Sequence, residues 1–433
     1  MLFKSSKEEI IFYNIPVVLF SLIPFFLITG PFLSDLSVSL ISLLFLIYCI
    51  KERDFSFFQN RYFYFFLIFW GYLILNILIS NFNIDSFGTA FVYFRYGVFV
   101  IAIIALLDKN EIFIKYFFYC TLICFTILIL DGFYQYFVGE NILGFKTESR
   151  FRVSSFFHEE LILGRYLSSL WPLFFGLSII ILKQKNKLFY FFIFIFILSE
   201  SLIFLSGDRT AFFNINLSAI FVILFSRNLK KLRALTLLSS ILLLAIISFI
   251  NPSAKERVFD QTISQMNLID NGKKEHSDNN KREYEGIYIF SKQYTHNYIT
   301  AYRMFLDNKT LGVGIKNFRN FCSNEKYKVS SLSCSTHPHN TYIQLLAETG
   351  IIGFLFLLTI LAYFCVYIFR HLILKFKNKN LFNDFEICIL SGVVIYLWPF
   401  SPTLNIFNNW MNITMIINLP FLYWSMKSNK IDT

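Results

Sequence analysis

The chain is predicted to be an all-α, polytopic membrane protein. Of its 433 residues, 56% are hydrophobic and only 15% charged, with a mean hydropathy of +0.56, which is more apolar and less charged than soluble domains. Runs of about 17 to 25 apolar residues, long enough to cross a hydrocarbon core near 30 Å thick, recur from end to end. The basic residues fall in alternate loops, the signature that orients membrane chains.

About twelve spans are expected, with cores beginning at Ile11, Phe32, Tyr62, Thr89, Phe113, Glu159, Leu188, Thr210, Arg233, Gly350, Asn383 and Ile406. The first run is too long for a signal-peptide core and lacks a small-residue cleavage site, so it reads as the first span. With the N-terminus inside, Lys51, Arg53 and Arg61 share a side with three further groups: Lys183, Lys185 and Lys187; Arg227, Lys230, Lys231 and Arg233; and Arg370, Lys375, Lys377 and Lys379. The net charge of +11 therefore follows the membrane, and no nucleic-acid partner is expected. This divides the chain into a bundle over 1–250, an outward polar insert over 251–349 and a closing bundle over 350–433, with both termini inside.

Within the insert, the polar stretch Asn271 to Glu285 reads as a mobile loop. Tyr288 to Phe305 reads as an amphipathic helix resting at the membrane interface, and Asp307 to Gly314 as turns. The pair in Gly312-Val313-Gly314 follows no strand, so a tight turn is expected there and not a dinucleotide site. Five of the seven cysteines, Cys49, Cys120, Cys124, Cys365 and Cys388, lie in or beside spans and read as packing residues. Cys322 and Cys334 lie in the outward insert, where oxidising surroundings favour a disulfide. A zinc site shared with His337 and His339 is the alternative, but that cysteine separation fits no standard finger or ribbon.

Of the ionisable residues inside expected spans, four stand at one level: Arg95, Asp131, Arg165 and Glu200, each about six or seven residues, or roughly 10 Å, from the outer end. Charges in hydrocarbon are costly and face a partner or a cavity. Either two ion pairs lock four helices together, with Asp131 and Glu200 holding the arginines, or the arginines line a polar chamber open to an anionic ligand.

Two outward loops and one helix start carry the candidate chemistry. Ser206-Gly207-Asp208-Arg209-Thr210-Ala211 is expected to place Asp208 as a helix cap and Arg209 in the first turn, where the helix end and a forked guanidinium suit phosphate. The bland alternatives are that Arg209 pairs with Asp208 or anchors in headgroups. Arg150, Phe151 and Arg152 precede the sixth span and read singly as interface anchors. His339 is expected to open a helix that Pro338 starts and Gly350 ends, with Tyr342, Ile343 and Leu346 laying it on the membrane. The positive end of the helix dipole then keeps the imidazole neutral and able to accept a proton; a capping or surface histidine is the alternative.

The stretch HPHNTYIQLLAETGIIGF, from His337, preceded by a long outward loop and the SGDRTA turn, resembles the O-antigen ligase and O-antigen polymerase superfamily. Supporting segments are AYRMFLDNKTLGVGIKNFRNF at 301–321 and RVSSFFHEELILGRYL at 152–167. The resemblance implies a GT-C-like helical fold in the bacterial inner membrane and transfer of a glycan from undecaprenyl diphosphate to an acceptor hydroxyl at the periplasmic face. That acceptor is lipid A-core for a ligase, a second lipid-linked glycan for a polymerase, or a protein for an oligosaccharyltransferase. It implies inversion at the anomeric carbon, no metal and no cofactor. His339 would be the base, with Asn340 and His337 beside it. Arg209 would hold the diphosphate, helped by Arg152 and Arg303 and, if a chamber exists, by Arg165 and Arg95. The chain departs from the family in carrying Asp208 where a small or hydroxyl residue is common, and Ser155 where glycine is frequent. A flippase of lipid-linked sugar is the reading from another class, and it leaves the histidine-ending insert without a role.

Overall fold

The computed structural model describes residues 6–147, 152–182, 187–250, 255–266 and 287–431. The stretch 271–285, together with Arg150, Phe151, Lys183 and Lys185, lies outside the described residues. Among those described the regular structure is helical. In chain order the main helices are α1 (Ile10–Ser21) and α2 (Ile23–Thr29), bent by 53°, then α3 (Pro31–Glu52), α4 (Arg61–Ile79), α5 (Ile84–Val92), α6 (Phe94–Lys109), α7 (Ile112–Val138) and α8 (Leu163–Ile181). There follow α9 (Lys187–Leu205), α10 (Arg209–Phe225), α11 (Lys230–Ile250), α12 (Lys292–Asp307), α13 (Thr341–Phe376), α14 (Asp384–Leu397), α15 (Asn409–Ile416) and α16 (Asn418–Ile431).

Helices satisfy their own backbone polar groups, which is why apolar runs take this form where no water is at hand. The breaks between them are written in capping residues. Asn60 accepts from Tyr62 N at the head of α4 and Asn83 from Asp85 N at the head of α5, while Asn383 and Glu386 form a reciprocal capping box on α14.

Seven spans among the described residues, with α5 and α6 counted together as Ile84–Lys109, are long and apolar enough to cross a membrane, and the bent α1–α2 pair adds an eighth if it is one span. The apolar parts of α9 and α10 are shorter. Most expected span cores begin in or next to a helix, but the sixth starts at Leu163 and not Glu159 and the twelfth at Asn409 and not Ile406; the last two do not form single long helices, since α14 has 14 residues and α15 and α16 are separate helices joined through Ile417. With large apolar side chains exposed around the bundle, such as Ile68, Leu130, Phe137 and Phe249, the architecture is that of a polytopic membrane protein.

At the centre, α8 packs against α9, α10 and α14. Its Tyr166, Trp171, Phe174 and Phe175 are buried, and Trp171 stacks on Phe175 at 4.7 Å. The insert folds onto one face of this bundle around a smaller apolar cluster of Ala301, Met304, Val313, Phe318, Cys322, Tyr327 and Ala347. Helix α12 begins at Lys292, later than expected, because Ser291 caps it. Its buried face, Thr295, Asn297, Thr300, Ala301 and Met304, packs against α13 and not on lipid.

Cys322 and Cys334 are joined in a disulfide with Cα atoms 5.1 Å apart, so neither sulfur is free to bind zinc. Closing a loop with a sequence separation of 12 restricts the unfolded chain. Replacing both cysteines with serine is expected to lower stability by about 3 kcal/mol, read as a fall in thermal unfolding temperature in detergent. The same fall should appear when the native protein is reduced.

Candidate functional site

The histidine segment is built from the bundle as much as from the insert. Asn340, and not His339, caps α13: its Oδ1 accepts from Tyr342 N at 3.0 Å and Ile343 N at 3.2 Å. Its Nδ2 donates to Pro399 O at 2.9 Å. His339 therefore precedes the helix instead of opening it, in a left-handed conformation with φ 59°, rare for a residue with a side chain and associated with functional sites. The loop 398–408, between α14 and α15, holds it there. Thr403 N donates to His339 O at 2.8 Å, and the hydroxyls of Thr403 and Thr341 lie 2.9 Å apart. Nothing in the sequence of that loop advertised the task.

The first part of α13 is not laid on a membrane surface. Tyr342 is buried, and its hydroxyl donates to Leu397 O at 2.5 Å, while Ala347 and Ile343 belong to the insert cluster. Both faces are occupied by protein, and Gly350, with φ 64° and ψ −165°, turns the chain into the long apolar part of the helix.

The two imidazoles differ in one respect that assigns their roles. His337 is saturated: Nε2 meets Thr403 O at 3.2 Å, which makes that nitrogen the donor, and Nδ1 meets Thr336 Oγ1 at 3.0 Å. His339 has no hydrogen-bond partner on either ring nitrogen among the described residues, and its ring is packed 4.1 Å from His337 and 5.1 Å from Tyr294 between centroids. Burial pushes both histidines down, His337 to about 3 and His339 to about 4, with the His339 ring adding to the effect on His337 and repulsion from the Arg165 guanidinium adding to both. A neutral ring is what the sequence leads one to expect of His339, and burial is its largest cause.

Arg165 lies in the first turn of α8, and the turn 206–211 presses against it. A Cβ at Gly164 would meet Ser206 Oγ at 2.2 Å and Asp208 Cβ at 3.2 Å. Asp208 caps α10 by accepting from Ala211 N at 3.0 Å, as expected, and its other oxygen faces Arg165 Nε at 3.6 Å. It is Arg165 that Asp208 engages through this contact; the Arg209 guanidinium instead donates to Thr262 Oγ1 at 3.0 Å and Gln265 Oε1 at 2.8 Å, on the short helix that begins the insert. Arg152 reaches the same turn from the other side, donating to Ser206 O and Leu161 O at 3.3 Å each. The guanidinium groups of Arg165 and Arg152 thus meet the turn that carries Arg209, and the field of Arg165 reaches His339.

The remaining expected site residues are placed elsewhere. Arg303 donates to Tyr327 O and Lys328 O and so pins the insert. Among the described residues Asp131 holds no arginine: it accepts from Ile142 N at 2.9 Å and from Ser155 Oγ, fastening the loops beyond α7. Ser155 sits at φ 51°, the backbone region that explains a preference for glycine there. Neither expected ion pair forms. Arg95 meets Asp35 at 2.5 Å, and Glu200 meets Arg233 at 2.5 Å. Arg233 was expected to face the inner surface but is fully buried, stacked 4.2 Å from the Trp171 ring. The reason is reach: partners came from helices distant in sequence, α3 and α11, which spacing along neighbouring spans does not reveal. No cluster of three metal-ligating side chains occurs among the described residues.

A helical bundle with a folded insert on one face, and a buried neutral histidine that feels the Arg165 guanidinium, defines a polytopic membrane protein. Residues 192–358, from within α9 through the turn, the insert and the first half of α13, match the family described as O-antigen ligase. That match supports the O-antigen ligase and polymerase superfamily, whose members are glycosyltransferase-type membrane enzymes. No curated protein matches the chain.

Proposed function

We propose that the protein is an O-antigen ligase of the inner membrane, transferring a glycan from undecaprenyl diphosphate to a hydroxyl of lipid A-core at the periplasmic face. The observation that carries the reading is His339: neutral, with both ring nitrogens available among the described residues, and placed where the Arg165 field is felt. The acceptor hydroxyl gives its proton to the imidazole as its oxygen attacks the anomeric carbon. The carbon–oxygen bond to the diphosphate breaks on the opposite side, which inverts the configuration, and the electron pair leaves with the diphosphate. Guanidinium groups of Arg209, Arg152 and Arg165 are suited to meet that charge as it develops. An arriving diphosphate also offsets the Arg165 repulsion, raising the basicity of His339 at the moment it is needed.

Purified protein in lipid, given undecaprenyl-diphosphate-linked glycan, is expected to load lipid A-core and release undecaprenyl diphosphate. Elongation of a second lipid-linked glycan without loading of core would replace ligase by polymerase; no transfer to either acceptor would defeat the proposal.

The pH profile has a definite sign. Activity needs the neutral ring, so kcat/KM, which reports the free enzyme, should stay flat from neutral pH to about 5 and fall with an apparent pKa near 4. The ordinary value is 6.5, so protonation of the unfolded chain also withdraws stability as pH falls from 6.5 towards 4. Activity and unfolding must be measured together, and an inflection at 6.5 in activity alone would mean a solvated histidine.

A further inference from the structure

A cavity of about 940 Å³ lies between α3, α5 and α6, beneath the insert, and no expected site residue except Arg95 touches it. Its size is that of a small-molecule site. Leu43, Ile84 and Phe91 line it and are exposed around it, so it opens toward the surroundings of the bundle and not into the histidine site. Trp70 forms part of the wall, held by its Nε1 donating to Ala90 O at 3.0 Å.

The polar lining is a balanced set of two cations and two acids: Arg95, Lys316, Asp35 and Asp85. Lys316 arrives from the insert in a left-handed conformation, φ 58°, and its ammonium donates to Thr89 Oγ1 at 2.9 Å. That is a neutral partner for a half-buried charge. Burial and the nearby Arg319 and Arg95 work against its protonation, while Glu348 and Asp85 favour it. Arg95 is tied to Asp35 at 2.5 Å. An apolar groove with one head rich in both signs matches a molecule with an apolar tail and a zwitterionic head.

We propose that this groove binds a membrane phospholipid whose headgroup pairs a phosphate with a primary ammonium, of the phosphatidylethanolamine type. The phosphate lies toward Lys316 and Arg95, the ammonium donates to Asp85, and an acyl chain runs along Leu43 and Phe91. Such a lipid ties the insert to the bundle through Lys316. A choline head presents no N–H to Asp85, and a glycerol head brings a net negative charge to a lining that has no net charge to offset it.

Trp70 supplies the readout. The full-length protein in nanodiscs is titrated with chain-brominated phosphatidylethanolamine, phosphatidylcholine or phosphatidylglycerol, and the quenching lost in Trp70→Phe isolates the signal of Trp70. Half-quenching is expected at a mole fraction about fivefold lower for the ethanolamine lipid than for either other lipid, the scale of one basic contact at a membrane surface. Lys316→Gln should raise that mole fraction by a similar factor, and Asp85→Asn should remove the advantage over the choline lipid. Equal quenching by the three lipids, or strongest quenching by the glycerol lipid, overturns the proposal from the native protein alone, as does an unchanged Lys316→Gln.

Discussion

Replacing His339 with alanine is expected to lower glycan transfer by about 10²- to 10⁴-fold, the range that a general base contributes. The substitution removes the imidazole whose nitrogens are left unpaired by the described residues, while its saturated neighbour His337 keeps both of its contacts. Loss should fall on kcat more than on donor binding, because the guanidinium groups around the turn 206–211 are untouched. His337→Ala makes the informative comparison. It deletes a ring that Thr403 and Thr336 hold, so it should reduce activity by loosening the 398–408 loop and lower the unfolding temperature as well. Transfer of lipid-linked glycan by purified His339→Ala at the native rate would end the catalytic assignment, provided the variant unfolds at the native temperature.

Gly350→Ala is expected to be the most damaging substitution for stability, by about 3 to 5 kcal/mol. Gly350 has φ 64° and ψ −165°, a region that only glycine visits readily, and an added Cβ would lie 2.2 Å from Thr310 O and 2.4 Å from Thr310 C. Both clashes are with backbone, so no side-chain rotation relieves them. The crowding is reciprocal, since a Cβ at Gly312 would meet Glu348 C at 2.5 Å. What the two glycines permit is a cap made by another segment. Val313 N donates to Ala347 O at 2.8 Å and Gly314 N to Glu348 O at 2.9 Å, while Ile351 N donates to Lys309 O at 2.8 Å. The first two bonds supply partners to helix carbonyls that the turn at Gly350 exposes, and the third gives the Ile351 amide an acceptor outside the helix. Thermal unfolding in detergent should show the fall in Gly350→Ala and not in Gly71→Ala, where an added Cβ meets nothing within 4 Å. Equal behaviour of the two would remove the close approach from the account.

The cap also shows how a reading of local signals falls short. Gly312-Val313-Gly314 reads as a turn, and a turn it is, but its use as a lid on the carbonyls of α13 depends on a helix that begins 27 residues after Gly314 (341 − 314). Asp208 was legible as a cap because capping is a contact with Ala211, three residues on. Its engagement of Arg165 was not, because that residue is on another helix. The charged residues within spans were correctly singled out as needing partners, and each of the four has one, yet Asp35, Arg233 and Ser155 were not among those considered.

The sequence by itself determined that helices form, roughly where most of their apolar cores lie, that Asp208 caps one of them, and which histidine and arginines to test. Those features follow from contacts within one helical turn and from the length of apolar runs, quantities written along the chain. Only the tertiary structure decided that Asn340 caps α13, that the 398–408 loop holds His339, and that burial and the Arg165 charge keep the His339 ring neutral. Desolvation and ion pairing depend on what surrounds a group in space, and the groups that surround His339 come from α8, α12 and the loop after α14, which only folding brings together.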